Sequence, residues 1–235
     1  MLRWLTSYLS ERTQKVKVNN TFSDLILVLS GVPQGSHLGP VLFNIFINDL
    51  TKNIKYCKFL LYADDMKMFG IVNDLNDSLL IQDDLNSINN WCKRNLMVLN
   101  VSKCNIISFS RKKLTINTEY CIEIEALKRV TKINDLGVIM DTKVDFNCHI
   151  ETLTNNCRRT LASMMRRAKE FSDPYVTKAL YCSLVRSKLE YASVVWNMIG
   201  ITNSAKIESI QKQFLLFAIR NLDWRRDTYI YPTSL

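Results

Sequence analysis

Proline and glycine are scarce in this chain, with 6 Gly and 4 Pro among 235 residues. Long apolar runs are missing altogether. No stretch of eighteen or more apolar residues occurs, which argues against a membrane-spanning helix. The hydrophobic fraction of 47% still suffices for a sizeable core, in one large domain or two small ones. The opening stretch, MLRWLTSYLSERTQKVKVNN, lacks the continuous apolar core and small-residue cleavage site of a secretion signal. Its mixture of aromatic, aliphatic and basic residues has the texture of a domain interior, so Met1 is expected to be a start placed inside a longer ancestral frame. No C-x-x-C is present. The seven cysteines are odd in number and irregularly spaced, which argues against a disulfide framework and for reduced intracellular thiols. Cys148, His149 and Cys157 come nearest to a zinc cluster, but a fourth ligand at a suitable spacing is missing. Internal repeats and low-complexity segments are absent too.

What is present begins with charge. The net charge is +9, and it is uneven: residues 151–235 hold 13 Lys/Arg against 7 Asp/Glu, whereas residues 1–150 hold 18 against 15. A basic C-terminal third suits a polyanionic partner, because Lys and Arg displace the counterions condensed on phosphates. A solvated helical face would have the same composition.

Scarce residues are informative where they gather. Gly31, Gly35, Gly39, Pro33 and Pro40 fall within ten residues, which marks an irregular loop that bends sharply or lies close to something. Leu42, Phe43, Phe46, Ile47 and Leu50 then share one helical face, and Pro40 suits that helix's first turn. In KFLLYADDMKMF, two apolar runs flank Asp64 and Asp65. The pattern predicts a strand, a tight turn carrying both acids, and a second strand. From Asp74 to Asn95, Leu75, Leu79, Leu85, Ile88, Trp91 and Cys92 recur at helical spacing. Asn100–Ser102 turns into a strand, CNIISFS, and further strands are expected at 120–124 and 129–139. Beyond about residue 145 the pattern is helical. One helix spans about 147–171, a second starts at the Asp173 cap with Pro174 in its first position, and a third spans about 204–222. Strands mixed with helices, then helices alone, indicate an α+β unit joined to a helical one.

Adjacent acids between apolar strands repel unless a cation intervenes. Mg²⁺ is the natural one, since it prefers carboxylate oxygen and retains waters for substrate phosphates. Two such ions would activate an attacking oxygen and stabilise a leaving one. By itself an Asp-Asp pair also fits an ordinary exposed turn, and the Gly/Pro loop also fits a helix entry with no ligand. In the ligand-bearing reading, bare backbone at Gly35 lets a substrate lie against the chain, and Gln34 offers an amide.

Four successive segments, SGVPQGSHLGPVLFNIFINDL, LLYADDMKMF, WCKRNLMVLNVSKCNIISFSR and INDLGVIMD, resemble the reverse transcriptases of non-LTR retrotransposons, the jockey-like group of insects above all. RRAKEFSDPYVTKALYCSLVRSKLEYASVVWN resembles the helical region that follows the palm in those proteins. The resemblance implies an α+β fold: an incomplete right-hand polymerase palm over residues 1–145, an antiparallel sheet with packed helices, and an all-helical thumb-like region over 146–235. It implies RNA-directed DNA synthesis with Mg²⁺ (or Mn²⁺), an RNA template, a DNA primer and deoxynucleoside triphosphates, and residence in nucleus and cytoplasm without a membrane. Asp64 would bind the metal and Asp65 would support it. Tyr62 and Ala63 would lie beside the primer end and incoming nucleotide, and Pro33, Gln34 and Gly35 would form part of the nucleotide pocket. Lys103 matches a lysine placed to protonate the pyrophosphate leaving group, although an exposed turn lysine would look the same. Leu136 and Gly137 match the loop that grips the primer, or else end a buried strand. In the helical third, Arg158, Arg159, Arg166 and Lys169 form a broad stripe suited to a phosphate backbone, with Arg159 aligned to Arg166 and Arg158 to Lys169.

The family's first palm motif, a strand with another Mg²⁺-binding Asp, would precede this chain, and Asp24 does not match it. The fingers and endonuclease are expected to be missing as well. Asp64 and Asp65 alone are too few for two ions, so the isolated chain is expected to be inactive. The competing expectation is a catalytically dead retroelement remnant that serves at most as a nucleic-acid-binding module.

Overall fold

The computed structural model describes residues 2–110, 116, 118–168, 170–171 and 173–221. Helix α1 (Leu2–Leu9) buries none of its side chains. Strands β1 (Arg12–Gln14) and β4 (Ile26–Val28) pair antiparallel around an inner hairpin of β2 (Lys17–Val18) and β3 (Thr21–Phe22). Helix α2 (Gly39–Ile47) carries proline in its first turn, where a missing N–H costs nothing. A 3₁₀ turn, Leu50–Asn53, leads to β5 (Lys58–Tyr62) and β6 (Asp65–Phe69), paired from Lys58↔Phe69 to Tyr62↔Asp65. Helix α3 (Leu75–Arg94) starts at a capping box: the Asp74 carboxylate accepts from the Asp77 backbone N–H, and the Asp77 carboxylate accepts from that of Asp74.

The architecture is mixed α+β. Among the described residues, however, the strands form pairs and not one sheet: six two-stranded ladders, five antiparallel and one parallel. The strand expected in CNIISFS shrinks to β7 (Asn105–Ile106), which pairs parallel with β10 (Lys128–Arg129). The strand expected near 120–124 becomes a hairpin of β8 (Cys121–Ile122) and β9 (Glu125–Ala126). The one expected over 129–139 bends back on itself as β11 (Lys132–Asp135) and β12 (Val138–Asp141).

The chain divides into two units. The first comprises residues 1–104 and 116–127, the second residues 105–115 and 128–235. Ile47, Leu50, Ile88, Trp91 and Cys92 centre the first core, with Phe43, Leu61, Met66 and Met68 packed against them. The buried face of α3 is centred on Ile88, and at about 100° per residue Leu75 and Leu79 lie about 140° and 180° away from it. Leu75 and Leu79 are exposed, while Ser78 and Asp84 are buried in their stead.

In the second unit, α4 (Asn147–Ala168) runs slightly shorter than its periodicity predicts. Helix α5 (Pro174–Tyr181) begins where expected, with the Asp173 carboxylate accepting from the Tyr175 N–H at 2.8 Å. It continues through a π turn, Cys182–Arg186, into α6 (Ser187–Glu190); α7 (Ser193–Trp196) and α8 (Ile201–Asn221) follow. Cys157, Leu161, Val185, Leu189, Ile210 and Phe214 form one core, in which Tyr181 stacks on Phe214 at 4.0 Å. Val138, Phe146, Ile150 and Trp196 form another.

Candidate functional site

In the first unit the two acids sit at the tip of the β5–β6 hairpin. The turn itself is Ala63–Asp64, and Asp65 already belongs to β6 opposite Tyr62. The tight turn therefore carries one acid, and the ladder places the second beside it. Ala63 takes a left-handed φ of 53° while Asp64 does not, the sign pattern of a type II′ turn, whose twist matches that of paired strands. An alanine there is strained, because its Cβ crowds the following carbonyl. Tyr62, Ala63, Asp64 and Asp65 are all exposed. Neither carboxylate accepts a hydrogen bond from a described residue.

The base of this hairpin is fixed from α3. Asp84 is 1% exposed. Its carboxylate accepts three backbone N–H groups, from Lys55 and Tyr56 at 2.9 Å and from Cys57 at 2.7 Å, immediately before β5. Burial alone would raise its pKa. The N–H groups of Lys55, Cys57 and Tyr56 overcome that and hold it below the ordinary carboxylate value. The neighbouring Cys57 thiol is pushed up to about 12 by burial and by the adjacent carboxylate. Trp91 Nε1 adds a second tie by donating to Asp49 Oδ1 at 3.1 Å. Sequence inspection missed Asp84: the signal was an acid on the apolar side of a helix, but its partners lie 27–29 residues earlier.

The Gly/Pro loop is a reverse turn. The Ser36 N–H reaches the Pro33 carbonyl at 3.4 Å, with Gly35 at φ 79° in the position that a type II turn reserves for glycine. Ser36 was also missed. Its hydroxyl donates to the Pro33 carbonyl at 2.8 Å and accepts the Gly39 N–H at 3.0 Å, tying the turn to the start of α2. Pro33 is half-buried, while Gln34 and Gly35 are exposed. Lys103 closes a 3₁₀ turn, Val101–Lys103, whose backbone folds back on Asn100.

A two-ion centre needs more fixed ligands than this hairpin supplies. Adjacent, exposed carboxylates suit one hard cation. Yet among the described residues no group of three His, Cys, Asp or Glu could hold a metal ion. Cys148 contacts Lys132 Nζ at 2.7 Å, and Cys157 is buried in the helical core. His149 Nδ1 accepts the Ile139 N–H at 3.3 Å, and burial keeps its pKa below the ordinary imidazole value.

In the second unit, Leu136 and Gly137 are not the end of a buried strand. They form the two-residue turn of the β11–β12 hairpin, at φ 45° and 85°, the type I′ pattern. Tyr191 Oη donates to the Leu136 carbonyl at 2.8 Å. A Cβ added at Gly137 would lie 3.3 Å from the Tyr191 ring. Gly137→Ala is expected to destabilise this unit by about 1–2 kcal/mol, the cost of a left-handed side chain, before any movement of Tyr191. A urea titration of both proteins measures it, and equal midpoints would contradict the turn geometry.

The basic stripe of α4 divides between two grooves. Arg158 and Arg166 line one of about 570 Å³, together with Arg220 of α8 and apolar Leu161, Met165 and Phe217. Arg159 lines another, beside Gly137. Arg159 and Arg166, aligned by helical angle, thus face different grooves. Lys169 lies outside the described residues.

Residues 1–160 match the family described as reverse transcriptase (RNA-dependent DNA polymerase). The chain is 29% identical over 221 residues to the probable RNA-directed DNA polymerase from transposon BS of Drosophila melanogaster, covering 89% of this chain and 24% of that protein. It is 26% identical over 220 residues to the probable RNA-directed DNA polymerase from transposon X-element of the same species, covering 89% and 24%. With the RNA-directed DNA polymerase from mobile element jockey of Drosophila funebris it shares 26% over 234 residues, covering 92% and 24%. The chain spans about a quarter of the length of these curated relatives. No solved structure matches it.

Proposed function

The chain belongs to the reverse transcriptase (RNA-dependent DNA polymerase) family, and from that premise we propose that it forms part of the centre that copies RNA into DNA for a jockey-like non-LTR retrotransposon. The observation that carries this reading is the β5–β6 tip: two exposed aspartates, consecutive in the chain, on a hairpin whose base is fixed by a buried acid.

Asp64 would hold the metal ion and Asp65 would support it. When bound there, Mg²⁺ or Mn²⁺ would supply stabilisation of charge on phosphoryl oxygens. The remaining work falls to protein groups. Tyr62 and Ala63 border the primer end and the incoming deoxynucleoside triphosphate. Pro33, Gln34 and Gly35 offer that nucleotide a turn with bare backbone. Lys103 delivers a proton to departing pyrophosphate, and Leu136–Gly137 grips the primer. Residues 1–145 act as palm and 146–235 as thumb, where Arg158, Arg159, Arg166 and Lys169 hold the template–primer backbone. Work in nucleus and cytoplasm is carried over from the family alone; among the described residues no helix is long and apolar enough to cross a membrane.

A second reading, a catalytically silent nucleic-acid-binding module, draws on the absence of a third ligand among the described residues. The two are separated by a chimera in which these 235 residues replace the matching quarter of one of the transposon polymerases. Primer extension on an RNA template is expected from the chimera and none from the 235-residue chain alone. A folded chimera that binds an RNA–DNA hybrid but extends no primer would leave only the module.

A further inference from the structure

We infer that the groove between α4 and α8 is a docking site for an acidic amphipathic helix of a partner protein, with Arg158, Arg166 and Arg220 as its rim and Leu161, Met165 and Phe217 as its floor. The groove measures about 570 Å³, opens to solvent, and is lined by no Asp or Glu. Both of its walls belong to the second unit.

The floor calls for apolar atoms. Leu161 and Phe217 are buried, Met165 is half-buried, and Leu216 beside them is 44% exposed. A phosphate gains nothing from such a surface, whereas an apolar side chain laid on it leaves water. The walls choose the shape. Both are α-helices whose backbone hydrogen bonds close within the helix, so no strand can be added along them. Leu161 and Met165 stand four residues apart, and Arg158 and Arg166 stand eight apart, a rise of about 12 Å. A third helix laid along that length sets side chains spaced i, i+3, i+4 and i+7 between the two ridges.

The rim chooses the charge. Arg158 is braced across the groove wall, its Nη2 donating to Ser209 Oγ of α8 at 3.3 Å. Arg166 and Arg220 donate to no described residue. Three guanidiniums on one groove without an acid repel one another. Carboxylates on the flanks of the incoming helix relieve that repulsion and accept paired N–H groups. Arg158 and Arg166 are also proposed above to hold the template–primer backbone, so helix and backbone exclude one another at these two residues. That competition rests on the polymerase reading; the fit of the groove for a helix does not.

The test uses the 235-residue chain and a labelled, end-capped peptide of about 21 residues, long enough to hold a helix in water. Leucines form one face of the peptide and glutamates flank them. Fluorescence anisotropy is expected to show saturable binding in the micromolar range. Leu216→Glu, which places an acid beside the floor, should weaken it by about tenfold or more, and Arg220→Gln should weaken it less. A scrambled peptide of the same composition should bind about tenfold more weakly than the amphipathic one. Leu216 and Arg220 are exposed, so circular dichroism should show both variants folded. Unchanged affinity in folded Leu216→Glu, or equal binding of the scrambled peptide, overturns the proposal. A dimer in sedimentation velocity that Leu216→Glu dissolves, with no peptide bound, also overturns it and hands the groove to a second copy. Displacement of a bound RNA–DNA hybrid by the peptide supports the competition. A hybrid retained while Leu216-dependent peptide binding persists removes Arg158 and Arg166 from the template–primer contacts and keeps the groove.

Discussion

In the chimera described above, Asp64→Asn is expected to slow single-nucleotide addition by about a thousandfold or more. A divalent ion at a phosphoryl centre is worth several kcal/mol of charge stabilisation, and each 1.36 kcal/mol is about tenfold in rate. Losing about 4 kcal/mol therefore removes about three orders of magnitude. The amide of Asn keeps the shape of the tip and removes the charge that recruits the ion. Because the side chain is exposed, thermal stability should not change. Asp65→Asn should cost less, since the proposed reading gives Asp65 only a supporting part. Rapid-quench measurement of one added nucleotide decides it: a rate within a few-fold of the parent would remove Asp64 from the metal site.

The largest effect on stability is expected at Asp84. Hydrogen bonds to a charged group contribute about 1.5–3 kcal/mol, and each buried donor left unmet costs about 1–3 kcal/mol. Asp84→Ala leaves three part-buried N–H groups without their acceptor. These contributions overlap, so the expected loss is about 4 kcal/mol, enough to unfold the first unit of a marginally stable protein. Asp84→Asn retains an acceptor oxygen and should fall between the two. The pH dependence has a definite sign. The folded pKa lies below the unfolded one, so the folded state binds fewer protons at this position. Its stabilisation is complete above the ordinary carboxylate value and disappears as pH falls through the depressed folded value. Asp84→Asn should remove that part of the acid dependence. Denaturant midpoints at neutral and acidic pH test both statements; parallel acid profiles for parent and Asp84→Asn would assign the sensitivity elsewhere.

Much of this protein was legible where the chemistry is local. Asp173–Pro174 announced a helix start, Pro40 another, and Asp64–Asp65 between apolar runs a hairpin, because capping, fixed φ and strand alternation act over a few residues. Reading failed where the determinant lies far along the chain or contradicts residue preference. Leu136 sits at φ 45°, a conformation that leucine disfavours, so residue preference did not mark 136–137 as a turn and only the family resemblance suggested a loop there. Leu75 and Leu79 were read with Ile88 and Trp91, yet at about 100° per residue they lie about 140° and 180° round the helix from Ile88, and both are exposed. The π turn has no side-chain signature at all, so Lys188 and Tyr191 could not be placed beside Arg159 from spacing. The family itself was legible because PQG and YADD are specific motifs; the individual roles drawn from it stand as proposals.

The two-stranded ladders bear on how the molecule breathes. A strand bonded along one edge only can be peeled off without disturbing a second partner, and a lone ribbon is at best marginally stable in water. Local opening then requires far less free energy than global unfolding. Amides in β2–β3 and β8–β9, ladders of two residue pairs each, should trade protons with solvent orders of magnitude sooner than those around Ile150, Leu161 and Ile210, which lie 0–1% exposed in the helical cores. The protein thus has a spectrum of stabilities. The hairpin bearing Asp64 and Asp65 belongs nearer its resistant end, because Asp84 nails down the backbone from which it departs.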